Sequence, residues 1–573
     1  MRRVLSLAAT LVSVSTLVAQ ATLPKTPSAT TSTSNPQPGV AATVAAPPAT
    51  PTRAEVLRGA YGPYRANNDL LSYHLDVRVD PVAKTIAGRN TVRLKMLEDG
   101  RRIQLDLDAT LQIDGITLEG SGQKLAYTRD SGAVFIDFPE TLASGQTVAL
   151  VFAYHGAPVA KGRFGGMSFE QDPAGRPWIF TACEDDGSSI WWPSKDQWRD
   201  EPQEGMEISV AVPNALMDVS NGRLVSKVDL HDGYTQWNWR VTYPINSYDV
   251  ALNIGAYAHF SDTYTNPAFL PLSLDFYALP EDLDKAKTQF AQAKGMLDAF
   301  EHYFGEYPFA RDGYKLVQVP YAGMEHQSAV AYGNHFANGY LNRDWTGVGI
   351  SPRFDFIIVH ESGHEWFGNA VSAADRSDMW IHEAWTTYLE TLYVEFQYGK
   401  ADALKYTTGF VPKVRNRVPI VGERGVAGDP PQDQYFKGAL MIATLRSVID
   451  DDATWFRLIH DFYQEFKYRN VLTEDVMGWW SERTGLSLNA FFNQYLRHTA
   501  IPCLELSFDD ATHTVLYKWQ ADDPAFTMPV KVGDPAHWQT ILPTTTWQSM
   551  PNTLGKDQFQ VATELFYVNV SKT

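Results

Sequence analysis

Residues 351–369 read SPRFDFIIVHESGHEWFGN, and this stretch indicates both a local fold and a chemistry. His360 and His364 are four positions apart, so on a helix they share one face and both imidazoles can bind the same ion. Glu361 is adjacent to the first histidine and can point toward a water molecule at that ion. The spacing alone only suggests a metal site, and the suggestion becomes stronger because the stretch has the marks of a helix.

The predicted helix has recognisable ends. Ser351 is a candidate N-cap, Pro352 follows at the first helical position, and Gly368-Asn369 provides a candidate C-terminal end. Gly363 lies inside this helix, where glycine costs about 1 kcal/mol relative to alanine. We therefore expect a neighbouring element to pack closely against Gly363.

A catalytic zinc ion needs a third protein ligand and one open position. A second helix is predicted from Asp378 to Tyr398, ending at Gly399, and Glu383 lies in its first turn. Glu383 could be an ordinary first-turn acid stabilised by the helix dipole. Its spacing from the histidines favours the ligand interpretation, because the connection can fold the second helix back onto the first. Two imidazoles and a carboxylate suit zinc better than calcium or magnesium, with cobalt and manganese as alternatives.

The whole chain has 573 residues and a formal charge of −18 at pH 7. This length predicts about two to four domains. The acidic balance argues against a nucleic-acid partner, because phosphate binding needs a basic face. A hydrophobic share of 44% and a charged share of 20% are ordinary for globular proteins.

The N-terminus has the pattern of a secretory signal. Arg2 and Arg3 give a positive start, residues 4–18 form an apolar stretch, and Ala19-Gln20-Ala21 supplies a cleavage site of small residues. We therefore expect residues 1–21 to be a signal peptide and the protein to be secreted or periplasmic in a bacterium, with a retained anchor as the alternative. No later stretch of the sequence is long and apolar enough to span a membrane, so no stable span is expected after cleavage.

The remaining chain changes pattern three times. Residues 22–60 are rich in Pro, Thr and Ala and are predicted to be an extended or disordered linker. Residues 61–275 alternate apolar and polar positions in short stretches and predict an N-terminal β domain. Residues 276–500 have a helical period, beginning with the amphipathic stretch from Leu283 to Phe304, and contain the metal helix. Residues 501–573 return to short strands and predict a C-terminal β domain.

Only two cysteines occur, Cys183 and Cys503, and they are 320 positions apart. Export permits a disulfide bond. A protein with a large core does not need one, so two free thiols are expected, with a disulfide as the alternative.

Several separated segments resemble the aminopeptidase N family of gluzincin metallopeptidases, which also includes leukotriene hydrolase. They match the family's zinc helix, its second ligand segment, its Gly-x-Met-Glu-Asn exopeptidase motif, the segment with its catalytic tyrosine, and the Thr-Gln-x-Glu segment of its N-terminal domain. The resemblance covers about residues 65–573, in the family's order. In chain order the segments are Thr181-Ala182-Cys183-Glu184, Ala322-Gly323-Met324-Glu325-His326, His360 to Asn369, Trp380-Ile381-His382-Glu383-Ala384-Trp385, and Tyr435-Phe436-Lys437-Gly438-Ala439.

The resemblance implies a metal centre and a base. It implies that His360, His364 and Glu383 bind one zinc ion per chain. It also implies that Glu361 is the general base that acts on a zinc-activated water. This chemistry is sound, because zinc can lower the pKa of a water to about 7 and polarise a carbonyl.

The resemblance also implies a substrate site. Glu325 and Glu184 are implied to hold the α-ammonium group of the substrate, with Gly323 and Met324 beside them. Tyr435 is implied to stabilise the oxyanion of the tetrahedral intermediate; without the resemblance, its position in the sequence indicates only core packing.

Four positions depart from the family pattern. His326 replaces the asparagine of the exopeptidase motif, and Ala322 replaces its first glycine. Ala182 stands where a glutamine would line the substrate cleft. His382 replaces another asparagine close to the metal, and we expect it to lie behind the ligands rather than to be a fourth ligand.

These features predict a multidomain α+β protein with an N-terminal β-sandwich-like domain, a thermolysin-like, mainly helical catalytic domain and a short C-terminal β domain. The predicted function is the zinc-dependent hydrolysis of N-terminal residues from peptide substrates. A zinc endopeptidase is one alternative, against which the pair Glu184 and Glu325 argues. A catalytically inactive peptide-binding protein is another, against which the intact Glu361 argues. Epoxide hydrolysis, which one branch of the family performs, has no specific support in the sequence.

Overall fold

The computed structural model describes residues 50–161 and 164–573. The predicted signal peptide and residues 22–49 of the predicted linker lie outside these residues. The described end of that linker is helical: α1 (Arg53–Gly59) is followed by α2 (Pro63–Ala66). Thr52 begins α1 with a capping box, in which the Thr52 hydroxyl accepts from the Glu55 N–H and the Glu55 carboxylate accepts from the Thr52 N–H.

The N-terminal section consists of strands, as its alternating pattern predicts. In β1, for example, Leu75, Val77 and Val79 are fully buried while Asp76 and Arg78 between them are only partly covered. The strands are β1 (Asn68–Asp80), β2 (Thr85–Met96), β3 (Gly100–Asp106), β4 (Leu111–Leu118), β5 (Ala126–Asp130), β6 (Ala133–Leu142), β7 (Thr147–Gly156), β8 (Gly166–Gln171), β9 (Pro177–Ala182), β10 (Met206–Pro213), β11 (Met217–Val219), β12 (Arg223–Asp229), β13 (Tyr234–Val241), β14 (Asn253–Gly255), β15 (Ala258–Tyr264) and β16 (Leu272–Ala278).

Most of these strands form three sheets around one apolar core. The largest has the order β12-β13-β10-β1-β2-β7-β4, and its pairs are antiparallel except β1 with β10. The smaller sheets have the orders β11-β14-β9-β8 and β3-β6-β5. Strand β9 matters most for the site, because it ends at Ala182, two residues before Glu184.

A five-stranded sheet joins the N-terminal and helical sections. Its order is β15-β16-β17-β19-β18, where β17 is Tyr314–Gln318, β18 is Gly323–Met324 and β19 is Val330–Tyr332. The predicted boundary between residues 275 and 276 falls inside β16, which pairs with β15 on one side and with β17 of the helical section on the other. The short edge strand β18 carries Gly323 and Met324 to the metal helix.

Helices dominate the section that follows, as predicted. The amphipathic stretch from Leu283 to Phe304 forms two helices rather than one, with a break at Phe290 and Ala291. The elements are α3 (Leu283–Gln289), α4 (Gln292–Phe304), α5 (Phe356–Gly363), β20 (Val371–Ala373), α6 (Trp380–Tyr398), α7 (Lys400–Thr408), α8 (Asp433–Ile449), α9 (Asp452–Phe466), β21 (Arg469–Val471), α10 (Thr473–Thr484) and α11 (Asn489–Leu496).

The C-terminal section returns to strands and shares one apolar core with the helices. Two bonds show the connection: the Tyr495 hydroxyl donates to the Tyr567 carbonyl at 2.8 Å, and the Tyr567 N–H donates to the Thr444 hydroxyl at 2.9 Å. The sheets are β26-β23-β22-β28 and β25-β24-β27. Their strands are β22 (Cys503–Asp509), β23 (Thr514–Gln520), β24 (Val530–Asp534), β25 (His537–Ile541), β26 (Gln548–Pro551), β27 (Gln560–Val561) and β28 (Asn569–Lys572).

The architecture confirms the predicted multidomain α+β class. Cys183 is buried, Cys503 is partly exposed, and both are free thiols, as expected. Within residues 50–161 and 164–573, no helix has the length and apolar character to cross a membrane.

Candidate active site

Helix α5 and its C-cap supply the two histidines, but the helix begins later than predicted. Ser351 to Arg353 form a separate 3-10 turn, and Phe354 is extended, so the predicted N-cap at Ser351 is wrong. The cap is Asp355, whose carboxylate accepts from the N–H groups of Ile357 and Ile358 at 3.1 and 3.3 Å. Asp355 is fully buried and fixes the start of the metal helix.

The same helix also ends earlier than predicted. Its last residue is Gly363, and His364 is the C-cap. The chain then turns tightly, with the Asn369 N–H bonded to the His364 carbonyl at 2.9 Å. The predicted end at Gly368-Asn369 therefore marks the end of this turn, where Gly368 has a φ of +134°.

Gly363 explains how α5 approaches α6. A Cβ atom at this position would lie 3.2 Å from Cγ2 of Thr386 and 3.5 Å from Cδ2 of Leu389, both on α6. The expected close packing at Gly363 is confirmed. Because α6 lies so near, Glu383 in its first turn faces the two histidines.

His360, His364 and Glu383 meet at one point. The Oε2 atom of Glu383 is 3.7 Å from Nε2 of His360 and 3.4 Å from Nε2 of His364. All three side chains are buried. Burial opposes ionisation of Glu383, but the two imidazoles beside it outweigh burial and lower the pKa of the carboxyl.

The remaining nitrogen of each histidine is held by the protein. Nδ1 of His360 donates to Oε1 of Glu390 at 2.7 Å, and the hydroxyl of Tyr406 donates to the other oxygen of Glu390 at 2.8 Å. Nδ1 of His364 donates to the carbonyl of Phe367 at 3.0 Å. These bonds leave both Nε2 atoms as acceptors that face Glu383.

Sequence reasoning missed Glu390, Tyr406 and Thr386. The hydroxyl of Thr386 lies 3.1 Å from Nδ1 of His364 and donates to the Phe367 carbonyl at 3.0 Å. A signal for Glu390 was available, because it follows Glu383 by seven residues and therefore shares its face of α6. No spacing rule indicates Tyr406.

The donor set fits a zinc ion. Tetrahedral ligands about 2.1 Å from zinc lie about 3.4 Å apart, close to the separations of Glu383 Oε2 from the two Nε2 atoms. This oxygen is buried and has no hydrogen-bond partner among the residues that the structure describes. Two neutral imidazoles and one carboxylate are the ligands of an open catalytic zinc site.

Glu361 lies on the side of this site that also holds Glu325. An oxygen of Glu361, one of Glu325 and a nitrogen of His364 lie within 4.8 Å of one another. A Cβ atom at Gly323 would come within 2.7 Å of Oε1 of Glu361, so only glycine allows β18 to pass this close. Burial raises the pKa of the Glu361 carboxyl to about 7, against the influence of His360.

Glu325 and Glu184 form a second wall beside the metal donors. Glu325 accepts from the Tyr248 hydroxyl at 3.1 Å, and its main-chain carbonyl accepts from Nδ2 of Asn369 at 2.8 Å. Glu184 is buried, and its Oε1 atom has no hydrogen-bond partner in the described part of the chain. Burial and then the charge of Glu325 raise the pKa of Glu184 well above its usual value, so the two acids are electrostatic neighbours.

Tyr435 also reaches the site. It lies in the first turn of α8, and its ring centroid is 6.2 Å from that of His360. Burial and then the charge of Glu383 raise the pKa of the phenol well above its usual value, so the hydroxyl stays protonated. Met324 is buried in the apolar core of the N-terminal section, and its contact with substrate stays a prediction.

The structure shows where the residues that depart from the family pattern lie. His326 is fully buried, and neither ring nitrogen has a hydrogen-bond partner among the described residues; burial lowers its pKa to about 3. Nε2 of His382 accepts from the Ala373 N–H at 2.8 Å, and the ring stacks on Trp198. His382 therefore lies behind the ligands, as expected. Ala182 ends β9 and is buried.

Two family models match the chain. The model of the peptidase M1 N-terminal domain matches residues 70–248, and the model of the peptidase family M1 domain matches residues 288–495. The first covers most of the N-terminal sheets. The second covers the region from α3 to α11 that carries the metal donors.

Similar proteins include aminopeptidases. Rat aminopeptidase B is 23% identical over 463 residues, which are 72% of this chain and 66% of that protein. The leucyl aminopeptidase of Saccharolobus solfataricus is 21% identical over 317 residues, 52% of this chain and 39% of that protein. The chain thus spans less than two thirds of the length of these relatives.

Solved structures share the fold. The M1 zinc metallopeptidase of Deinococcus radiodurans matches with a TM-score of 0.63 at 19% identity, over 76% of this chain and 95% of that one. A mutant of that protein bound to a Tyr-Ser-Ala substrate matches with a TM-score of 0.62 at 19% identity, over 76% and 96% of the two chains.

Proposed function

The chain belongs to peptidase family M1, the family of aminopeptidase N and its gluzincin relatives, and from this premise we propose that it is a zinc aminopeptidase that releases amino acids from the N-termini of peptides. One observation carries the proposal. Glu325 clusters with Glu361 and the metal donor His364. The second buried acid, Glu184, is within electrostatic range of Glu325 and Glu383 and has an oxygen without a partner among the described residues. Such a pair suits the charged α-amine of a peptide, whose pKa near 8 leaves it mostly protonated at pH 7.

The metal donors define where hydrolysis occurs. His360, His364 and Glu383 would hold the zinc ion through two Nε2 atoms and Oε2. When bound, zinc polarises the scissile carbonyl and lowers the pKa of a water molecule to about 7. Glu390 keeps the His360 ring in the orientation that presents Nε2.

Glu361 moves the proton. Its carboxylate takes a proton from the attacking water and returns it to the nitrogen of the leaving peptide, so the peptide C–N bond breaks without release of an amide anion. The buried surroundings of Glu361 suit this exchange, because a base works best when its pKa lies near the working pH.

Tyr435 stabilises the transition state. Its protonated hydroxyl donates to the carbonyl oxygen as that oxygen becomes negative. The donor lies at the start of α8, close to Glu383 and facing the His360 ring.

The two acids distinguish this function from that of an endopeptidase. An endopeptidase cleft lets the chain pass on both sides of the metal, whereas buried carboxylates at one end favour a free α-amine. Acetylating the substrate N-terminus removes its charge and adds bulk. A charge-assisted hydrogen bond is worth about 1.5–3 kcal/mol, so losing two should lower kcat/KM by at least about 10²-fold. Equal turnover of a free and an N-acetylated peptide of one sequence would make the protein an endopeptidase.

We further propose that the protein is exported. Its support is the N-terminal pattern of Arg2 and Arg3, an apolar stretch and Ala19-Gln20-Ala21. Expression of the full chain in a bacterium with an export pathway should yield a mature protein outside the cytoplasm whose N-terminus is Thr22. An uncleaved cytoplasmic protein would rule out this localisation.

A further inference from the structure

Four buried side chains form a cluster behind the acid pair. They are Tyr248, Trp198, His382 and Arg376, and we refer to them as the Trp198 cluster. The Trp198 ring lies 5.0 Å from that of Tyr248 and 5.2 Å from that of His382, measured between centroids. The Arg376 guanidinium lies 5.2 Å from the centroid of the Trp198 ring. The most exposed of the four, Arg376, has 8% of its surface accessible.

The cluster contacts both acids, and each contact is of a different kind. The Tyr248 hydroxyl donates to Oε1 of Glu325 at 3.1 Å. Nη1 of Arg376 donates to the main-chain carbonyl of Glu184, and Nε donates to the carbonyl of Gly428 at 3.3 Å. The cation therefore holds the backbone of Glu184 and leaves its carboxylate free of a bond from this arginine.

The cluster is also connected to the metal donor Glu383. His382 directly precedes the ligand Glu383, and its Nε2 atom accepts from Ala373. The Trp198 carbonyl accepts from Nδ2 of Asn470 at 2.7 Å. The N-terminal section is thus joined to the helical section at the point where the acids face the metal donors.

We propose that the Trp198 cluster sets the position of the two acids relative to Glu383, and that Tyr248 and Arg376 are positioning residues for recognition of the α-amine. The proposal rests on the proposed aminopeptidase function. Two buried carboxylates repel each other, and neither is neutralised by a direct ion pair in the described residues. Positioning matters here, because a charge-assisted hydrogen bond from the α-amine weakens when its carboxylate acceptor is displaced.

The Tyr248 test uses a conservative variant. Tyr248→Phe removes one hydroxyl and keeps the ring stack. Its matched control is Tyr264→Phe, because the Tyr264 hydroxyl also donates to a buried carboxylate, that of Glu301, away from the site. Tyr248→Phe loses a hydrogen bond to a charged group, which is worth about 1.5–3 kcal/mol. We therefore expect KM for a free peptide to rise by about 10-fold, with kcat and zinc content retained.

The Arg376 test uses a variant that keeps the positive charge but loses the guanidinium group, which donates through two different nitrogens. Arg376→Lys can stack near Trp198 but cannot bond the Glu184 and Gly428 carbonyls together. Its matched control is Arg129→Lys, whose guanidinium donates to three main-chain carbonyls within the N-terminal section. We expect Arg376→Lys to raise KM for the free peptide by about 10-fold, and Arg129→Lys to leave it unchanged.

The deciding readout is the ratio of kcat/KM for a free peptide to that for its N-acetylated form, measured with zinc content and melting temperature on each full-length variant. Tyr248→Phe and Arg376→Lys should lower this ratio about 10-fold and the controls should keep it, whatever the melting temperatures. A ratio unchanged from wild type in both variants would overturn the positioning role alone. A wild-type ratio near one would overturn the proposed function, and the positioning role with it.

Discussion

The two walls of the site are built in opposite ways. On the metal wall, every ligand comes from α5, its C-cap or α6, and the second nitrogen of each histidine is bonded within the protein, to Glu390 or to the Phe367 carbonyl. On the acid wall, Glu184 follows β9 and Glu325 follows β18, and Oε1 of Glu184 has no partner among the described residues. The metal wall is oriented by its own hydrogen bonds, whereas the acid wall leaves a carboxylate available for a ligand.

The proposed function gives a reason for this difference. A metal ion needs fixed donors with one tautomer, so bonds behind the ligands are an advantage. A substrate ammonium group has to enter and leave, so its carboxylates cannot be saturated by the protein. Variants on the two walls should therefore change different observables: zinc affinity on one side, and discrimination of the free N-terminus on the other.

The largest effect is expected at Glu361, between the walls. Glu361→Gln keeps the shape of the side chain but removes the group that accepts the proton. We expect kcat to fall by about 10²–10⁴-fold. Zinc content by metal analysis should stay at about one ion per chain, because Glu361 is not a ligand. A kcat within a few-fold of wild type would remove Glu361 from the mechanism.

The metal wall is tested at Glu390. Glu390→Gln weakens the bond that orients His360, so zinc affinity should fall by about 10–100-fold in competition with a chelator. Glu395→Gln, on the same helix but paired with Arg446, is the control. The free-to-acetylated ratio of the zinc-loaded variant should stay as in wild type. Unchanged zinc affinity would mean that the metal wall does not depend on this bond.

The acid wall is tested at Glu184. Glu184→Gln removes the charge that faces the α-amine, so KM for a free peptide should rise by about 10-fold or more. Zinc affinity should not change. Glu170→Gln on the neighbouring strand β8, where the side chain is exposed, is the control. A fall in zinc affinity with KM unchanged would place Glu184 on the metal wall and would contradict the division of the site into two walls.

The smallest effect concerns the packing of the metal wall. Gly363→Ala gains helix propensity, but its Cβ would press on Thr386, whose hydroxyl is bonded beside His364. We expect a net loss of about 1 kcal/mol in the free energy of unfolding by urea. At Gly478 in α10, a Cβ would meet nothing within 4 Å, so Gly478→Ala should instead gain up to about 1 kcal/mol. Stabilisation by both changes would contradict the close packing of α5 on α6.

The same contrast explains what the sequence could predict. His360 and His364 follow from a spacing rule on one helix, and Glu383 follows from the next helix, so the metal wall is encoded locally. The cap at Asp355 was missed because Ser351 and Pro352 supply an equally good local signal, and only the extended Phe354 separates them from the helix.

The acid wall has no such local rule. Glu184 and Glu325 are 141 positions apart and were predicted only through the resemblance to a known family. No sequence pattern indicates the Trp198 cluster either, because its members come from three separate segments that meet only in the folded protein: one with Trp198, one with Tyr248, and one with both Arg376 and His382. Tertiary contacts of this kind carry no periodicity that a single sequence displays.

The most direct test of the account is the order in which products appear from one unblocked decapeptide. Mass spectrometry of a time course with the zinc-loaded protein should show the N-terminal amino acid first, followed by peptides shortened one residue at a time from that end. Removal of zinc with a chelator should stop the release. Internal fragments, or shortening from the C-terminus, would contradict the aminopeptidase account even if the reaction depended on zinc.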